Sequence, residues 1–242
     1  MLLAIDIGNT NITFGIFQAD KIKSSFSIST QDYTLDKLMR KLRKFKIDDA
    51  IVCSVVPKTT RKIEKDLRDF LGKQPYIIGK NIAVPIKNLY LHPKAVGQDR
   101  LVNAYAGIKL YGAPLVVIDF GTAVTFDVIS RKKEYLGGLI LPGLGISLEA
   151  LNQRTALLPK IKLEEPSAFI GRDTKSSMLS GIVYGFSALT DSLIARIKDK
   201  LGKKIKAIAT GGNISLIAKY CRRLDGKDVH LTLKGLNMLF LQ

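Results

Sequence analysis

Leu2-Leu3-Ala4-Ile5-Asp6-Ile7-Gly8-Asn9 and Leu115-Val116-Val117-Ile118-Asp119-Phe120-Gly121-Thr122 are the stretches on which the fold turns. Laid one over the other, they share Leu, Ile, Asp and Gly at four of eight positions. In each, an apolar strand ends in Asp-x-Gly, a hydroxyl or amide residue follows, and a second strand leaves over 12–17 or 124–129. The chemistry suits phosphate. Glycine lets backbone N–H groups come close to an anion, Thr10 and Thr122 add hydroxyl donors, and an Asp at a strand end can hold Mg²⁺ through water. One Asp-x-Gly is an ordinary hairpin turn; two at matching points of two half-chains read as paired phosphate loops. No G-x-x-x-x-G-K-[ST] motif is present, which excludes a P-loop enzyme.

Outward from the repeat, strands and helices alternate. Leu35, Leu38, Met39, Leu42 and Phe45 have helical spacing over 34–45, with Lys37, Arg40, Lys41 and Lys44 on the other face. A strand is expected over 50–56, a helix over 60–71 stopped by Gly72, a short strand over 76–78, irregular chain over 80–98, and a helix from Gln98 to Tyr111. The second half restarts with strands over 115–119, 124–129 and 135–141. Helices are expected to Asn152 and over 174–201, then a strand over 206–209, the loop Thr210-Gly211-Gly212-Asn213 and a helix to Arg222. Alternation of this kind defines an α/β class. The expected division is 1–112 and 113–242, at Gly112-Ala113-Pro114.

Composition narrows the class. The chain has 242 residues, 46% hydrophobic and 24% charged, so a disordered chain is excluded. No continuous apolar run approaches the ~18 residues of a membrane span, and Met1 to Asp6 carries no basic leader, so neither a signal peptide nor a membrane partner is expected. Cys53 and Cys221 are too few for a disulfide framework, which points to a reducing, cytoplasmic compartment. The net charge is +17, with 19 basic and 10 acidic residues in 1–118 and 19 and 11 in 119–242. The excess is spread evenly and is mostly Lys (27 of 38), a solubilising pattern rather than a base-reading one. Nucleic acid is therefore not the expected partner.

Asp6-Ile7-Gly8-Asn9-Thr10, Asp119-Phe120-Gly121-Thr122-Ala123-Val124-Thr125 and Thr210-Gly211-Gly212-Asn213 resemble the two phosphate loops and the adenosine loop of the actin-like, sugar-kinase and heat-shock ATPase superfamily. Within it, Tyr90, His92-Pro93 and Gly97-Gln98-Asp99-Arg100 resemble the pantothenate segment of type III pantothenate kinases, with Gln98 where that family usually has Ala. Gly137 to Gly143, Arg154 to Pro159 and Gly171-Arg172-Asp173-Thr174 agree with it.

The resemblance implies two duplicated actin-like (ribonuclease H-like) domains, each a mixed sheet flanked by helices. It implies ATP-dependent phosphorylation of pantothenate, the first step of coenzyme A synthesis. Asp99 would be the proton acceptor. Tyr90, Gly97, Gln98, Asp99 and Arg100 would hold pantothenate, with Thr174 reaching it from the partner subunit of a homodimer. Asp6, Ile7, Gly8, Asn9, Thr10, Asn11, Ile12, Thr13 and Thr122 would bind ATP. Asp119 would hold K⁺ or ammonium, and Mg²⁺ would lie near Asp6. The wide apolar band from Met178 to Ile197, with Gly181 and Gly185 four apart, is the expected dimer surface, although a helix buried in its own domain would read the same way. Two other readings stay open at this point. One is a non-catalytic relative acting as a transcriptional accessory or nucleic-acid-contacting factor; the other is a kinase for a different polyol or acid.

Overall fold

The computed structural model describes residues 1–242. In chain order the first part comprises β1 (Leu2–Ile7), β2 (Asn11–Gln18), β3 (Lys21–Ser29), α1 (Leu35–Leu42), β4 (Asp49–Ser54), α2 (Pro57–Leu71), β5 (Tyr76–Ile77) and α3 (Gln98–Tyr111). The remainder comprises β6 (Leu115–Phe120), β7 (Ala123–Ile129), β8 (Tyr135–Pro142), α4 (Leu144–Arg154), α5 (Thr174–Leu201), β9 (Lys206–Thr210), α6 (Ile214–Ile217), β10 (Gly226–Lys227) and α7 (Leu231–Phe240). Two compact units result, Met1–Lys109 with Leu231–Gln242, and Leu110–His230.

In the first unit the sheet order is β3-β2-β1-β4-β5. β1 pairs antiparallel with β2 and parallel with β4, so the sheet is mixed. Period-two alternation splits β1 between two cores. Leu3, Ile5 and Ile7 point into a cluster with Leu38 and Leu42 of α1 and Ile63 and Leu67 of α2. Leu2 and Ala4 point the other way, into a cluster with Val102 and Tyr105 of α3 and Leu233, Leu236 and Leu239 of α7. Asp6 shares the parity of Leu2 and Ala4, so it lies on the α3 side, at the open end of β1.

The second unit repeats the plan. Its sheet, read from β8, runs β8-β7-β6-β9-β10, the same order of roles as β3-β2-β1-β4-β5. β6 pairs antiparallel with β7 and parallel with β9. Val116, Ile118 and Phe120 pack with Leu144 and Leu148 of α4, Leu179 and Val183 of α5, and Ile214 and Ile217 of α6. The duplicated fold expected from the Asp-x-Gly repeat is present strand for strand.

Three differences from the sequence reading have physical causes. Residues 21–29 carry no continuous apolar run, yet β3 forms there: a polar edge strand with Lys21, Lys23, Ser25 and Ser27 exposed. The helix expected to Arg222 stops at Ile217: the chain tightens into a turn closed by the Tyr220 N–H on the Ile217 carbonyl (3.0 Å), and the Asp191 carboxylate then takes the backbone N–H groups of Arg222 and Arg223 (2.9–3.0 Å). The last twelve residues, expected within 113–242, contain α7 and group with the first sheet instead.

α5 is, by length and composition, apolar enough to cross a membrane. Its apolar side is covered within its own unit: Met178, Leu179, Ile182, Val183 and Ile194 lie in the core, and Phe186, Leu193 and Ile197 pack against it. The breadth of that band therefore has an account inside the unit. Gly181 and Gly185 lie on the exposed side.

Candidate active site

In the first unit, Ile7 and Ile12 are fully buried and clamp the stem of the β1–β2 hairpin, while Asn9, Thr10 and Asn11 at its tip are exposed. Gly8 N–H closes the turn onto the Asn11 carbonyl at 3.0 Å. Asp6, half-buried, pairs in register with Thr13 on β2 and with Cys53 on β4. The head of α3 lies in the same unit. The Gly97 carbonyl receives the N–H groups of Arg100 (3.2 Å) and Leu101 (3.4 Å), which starts the helix, and Asp99 Oδ1 accepts the Arg100 N–H at 2.9 Å. The Asp99 carboxylate folds back over Gly97, so closely that a Cβ at position 97 would collide with Oδ1. A side chain at 97 would have to push that carboxylate aside.

Burial pushes the Asp99 carboxyl above the usual carboxylate range, and the N–H and charge of Arg100 pull it partly back. Burial also raises the Cys53 thiol, and the carboxylates of Asp6 and Asp99 raise it further. One sulfur thus senses both acids: the fold brings Asp6 and Asp99, 93 residues apart in sequence, to one end of one sheet face. Arg100 is 8% exposed. Gln98 lays its side chain over Gly79. Tyr90 is half-buried in the loop before α3, its N–H held by Asn88 Oδ1 at 2.9 Å.

In the second unit, Asp119 is the last but one residue of β6, opposite Thr125 on β7 and Thr210 on β9. Gly121 N–H bonds the Ala123 carbonyl (3.1 Å), Gly143 N–H bonds the Thr122 carbonyl (3.0 Å), and Asn213 N–H bonds the Phe120 carbonyl (3.1 Å). The Asp119, Gly121-Thr122 and Gly211-Gly212-Asn213 segments are thereby drawn together. Gly211 has φ 97°, and a Cβ there would collide with the Asp119 carboxylate and the Phe120 backbone. Behind this loop is a group the sequence reading did not single out. Asp127 is fully buried, and accepts from Tyr135 Oη (2.8 Å) and Thr125 Oγ1 (3.0 Å). The Thr125-x-Asp127 spacing on one strand face could have pointed to it; Tyr135 needs the β7–β8 register.

Thr174 opens α5 and is exposed. Asp173 caps the helix, its Oδ1 accepting the Ser176 N–H at 2.9 Å, and these bonds hold its carboxyl below the usual range. A cavity of about 520 Å³ beside it is lined by Ser167, Phe169, Ile170, Arg172, Asp173 and Ser176, among others.

No group of three or more His, Cys, Asp or Glu side chains forms a metal cluster. Asp6 is one carboxylate at an anion-suited turn. That fits Mg²⁺, which keeps several waters and binds through one or two carboxylates plus substrate phosphates. Asp119 sits in a cradle that a side chain at 211 would fill. Its carboxylate is a hard oxygen donor, the ligand type that hard cations take.

Two copies of a five-stranded mixed sheet, each with an Asp-x-Gly hairpin at its centre, define the actin-like ATPase and sugar-kinase fold. Solved structures of that fold resemble the chain. A protein from Campylobacter jejuni described as a Baf-family transcriptional activator has a TM-score of 0.59 at 22% identity, covering 99% of this chain and 97% of its own. The activator of 2-hydroxyisocaproyl-CoA dehydratase from Clostridium difficile, solved with bound ADPNP, has 0.56 at 13%, covering 99% and 93%. The sequence is more discriminating. The model of the type III pantothenate kinase family matches residues 2–196. Type III pantothenate kinases from Finegoldia magna and Moorella thermoacetica are 44% and 40% identical, over 99% of this chain and 96% and 98% of theirs. The chain belongs to the type III pantothenate kinase family.

Proposed function

We propose that this chain transfers the γ-phosphoryl group of ATP to the primary hydroxyl of pantothenate, with Asp99 as proton acceptor. The carrying observation is Asp99 itself. In a chain of this family, a half-buried carboxyl with a raised proton affinity stands at the head of α3, at the end of the sheet face that also carries Asp6. A base whose pKa approaches the working pH is the effective one. Arg100, a buried fork of donors, would hold the pantothenate carboxylate, with Tyr90, Gly97 and Gln98 around it. The backbone and hydroxyls of Asp6 to Thr13, and Thr122 in the second unit, would bind the phosphates of ATP. Asp6 would hold Mg²⁺ and Asp119 K⁺ or ammonium; bound there, these ions neutralise charge that would otherwise oppose transfer. Phosphoryl transfer asks the protein mainly for alignment and electrostatics, and these groups supply both.

The active form in this reading is a homodimer in which Thr174 completes the partner's pantothenate pocket. Support comes from the exposed position of Thr174 beside an open cavity, and from Gly181 and Gly185 on the uncovered side of α5. The chain acts in the cytoplasm, where coenzyme A synthesis takes place. A coupled ADP-release assay with Mg²⁺ and K⁺ tests the activity: ADP should form when pantothenate is added and not before. Folded protein showing no pantothenate-dependent ADP would refute it.

A further inference from the structure

Thr30 follows β3 and makes two hydrogen bonds to the tip of the first hairpin. Its hydroxyl donates to the Gly8 carbonyl at 2.7 Å, and its N–H donates to the Thr10 carbonyl at 2.9 Å. A trans peptide is planar, with its C=O and N–H pointing opposite ways. Holding the Gly8 carbonyl toward Thr30 therefore turns the Asn9 N–H to the other side of the loop. Holding the Thr10 carbonyl does the same for the Asn11 N–H. The two amides this orients lie in the exposed tip, Asn9 to Asn11, where side-chain packing does not fix the backbone.

We infer that Thr30 is a positioning residue for nucleotide phosphate: from outside the loop, it aims the Asn9 and Asn11 amides at the anion. The inference rests on the assignment of residues 6–13 to ATP. The bond from Gly8 N–H to Asn11 carbonyl closes the turn but leaves the Gly8–Asn9 peptide plane free to rotate. The Thr30 hydroxyl removes that freedom, so phosphate meets donors already in place.

The test measures binding, apart from turnover. Thr30→Val keeps the β-branched shape and the backbone bond to Thr10 and loses the hydroxyl; Thr30→Ser restores it. Calorimetry would compare ADP with adenosine, which lacks phosphate. Loss of one hydrogen bond predicts ADP binding weakened roughly 3- to 10-fold in Thr30→Val. Adenosine and pantothenate binding should stay within about 2-fold of wild type, and Thr30→Ser should recover ADP affinity. Unchanged ADP binding in Thr30→Val would overturn the inference. So would equal weakening of ADP, adenosine and pantothenate with a lowered Tm, the signature of a structural role. Wild-type protein that binds no ADP would overturn the nucleotide assignment beneath it. Wild-type protein that binds ADP without phosphorylating pantothenate would overturn the proposed reaction and leave Thr30 in its role.

Discussion

Asp99→Asn separates chemistry from architecture at one atom. The substitution keeps Oδ1, which accepts the Arg100 N–H at 2.9 Å, and so keeps the start of α3. What it removes is the oxygen that could take a proton. A positioned general base contributes roughly 10²- to 10⁴-fold, and kcat should fall by that factor. Stability should move the other way. The folded-state pKa of Asp99 is raised by burial, so the folded chain binds this proton more tightly than the unfolded chain does. The ionised carboxylate therefore costs stability, a cost that sets in as pH rises from the unfolded value of about 3.9 through the folded pKa and is complete above it. Asn carries no charge and avoids the cost, so Tm at neutral pH should be equal to or above wild type. The same shift places the acid limb of the wild-type kcat profile above the ordinary carboxylate range, and Asp99→Asn should abolish that limb. Steady-state kinetics from pH 4 to 9 with a melting curve for each variant give all three readings. Near-normal kcat in Asp99→Asn would refute the reasoning and reduce Asp99 to a helix-start residue.

Gly211→Ala should be destabilising, because φ of 97° disfavours a side chain and the new Cβ meets the Asp119 carboxylate and Phe120 backbone. Strain plus overpacking of roughly 3 kcal/mol would lower Tm by about 6–12 °C, whereas Gly212→Ala, with open space around it, should change Tm by no more than about 1–2 °C; calorimetry of the pair checks this. Asp119→Ala should lose both the response to K⁺ or ammonium and the activity, and wild type should lose activity in a Na⁺-only buffer; full activity there would contradict the cation role. If Thr174 serves the partner's site, mixing inactive Asp99→Asn and Thr174→Arg under subunit exchange should restore roughly a quarter of wild-type activity, since half the dimers are mixed and each then holds one intact site. No recovery despite proven exchange, or a monomer by light scattering, would refute sharing.

What the sequence made legible follows from where the signals are local. β1 and β6 are continuous apolar runs ending in Asp-x-Gly, and both strand and loop can be read from eight adjacent residues. β3 is a polar edge strand whose pairing with β2, rather than its composition, makes it a strand. α7 reads as a short apolar segment interrupted by Gly235, and nothing local says that it returns to the first sheet; only its packing with Val102 and Tyr105 does. The site shows the same division. Gly97 to Arg100 is contiguous and was legible as a unit. The meeting of Asp6 with Asp99 around Cys53, the Asp127–Tyr135 bond and the hold of Thr30 on Gly8 depend on strand register across 8 to 93 residues.

Transfer of phosphate from ATP to pantothenate is measured most directly by following the label itself. Wild-type protein is incubated with [γ-³²P]ATP, Mg²⁺, K⁺ and pantothenate, and the products are separated and weighed by mass spectrometry. Labelled phosphopantothenate is expected in equal amount to ADP, with the phosphoryl group on the primary hydroxyl, and at least a hundredfold less of it from Asp99→Asn, the lower end of what a general base contributes (~10²-fold). Label recovered only as inorganic phosphate, or pantothenate left unlabelled while ADP accumulates, would contradict it.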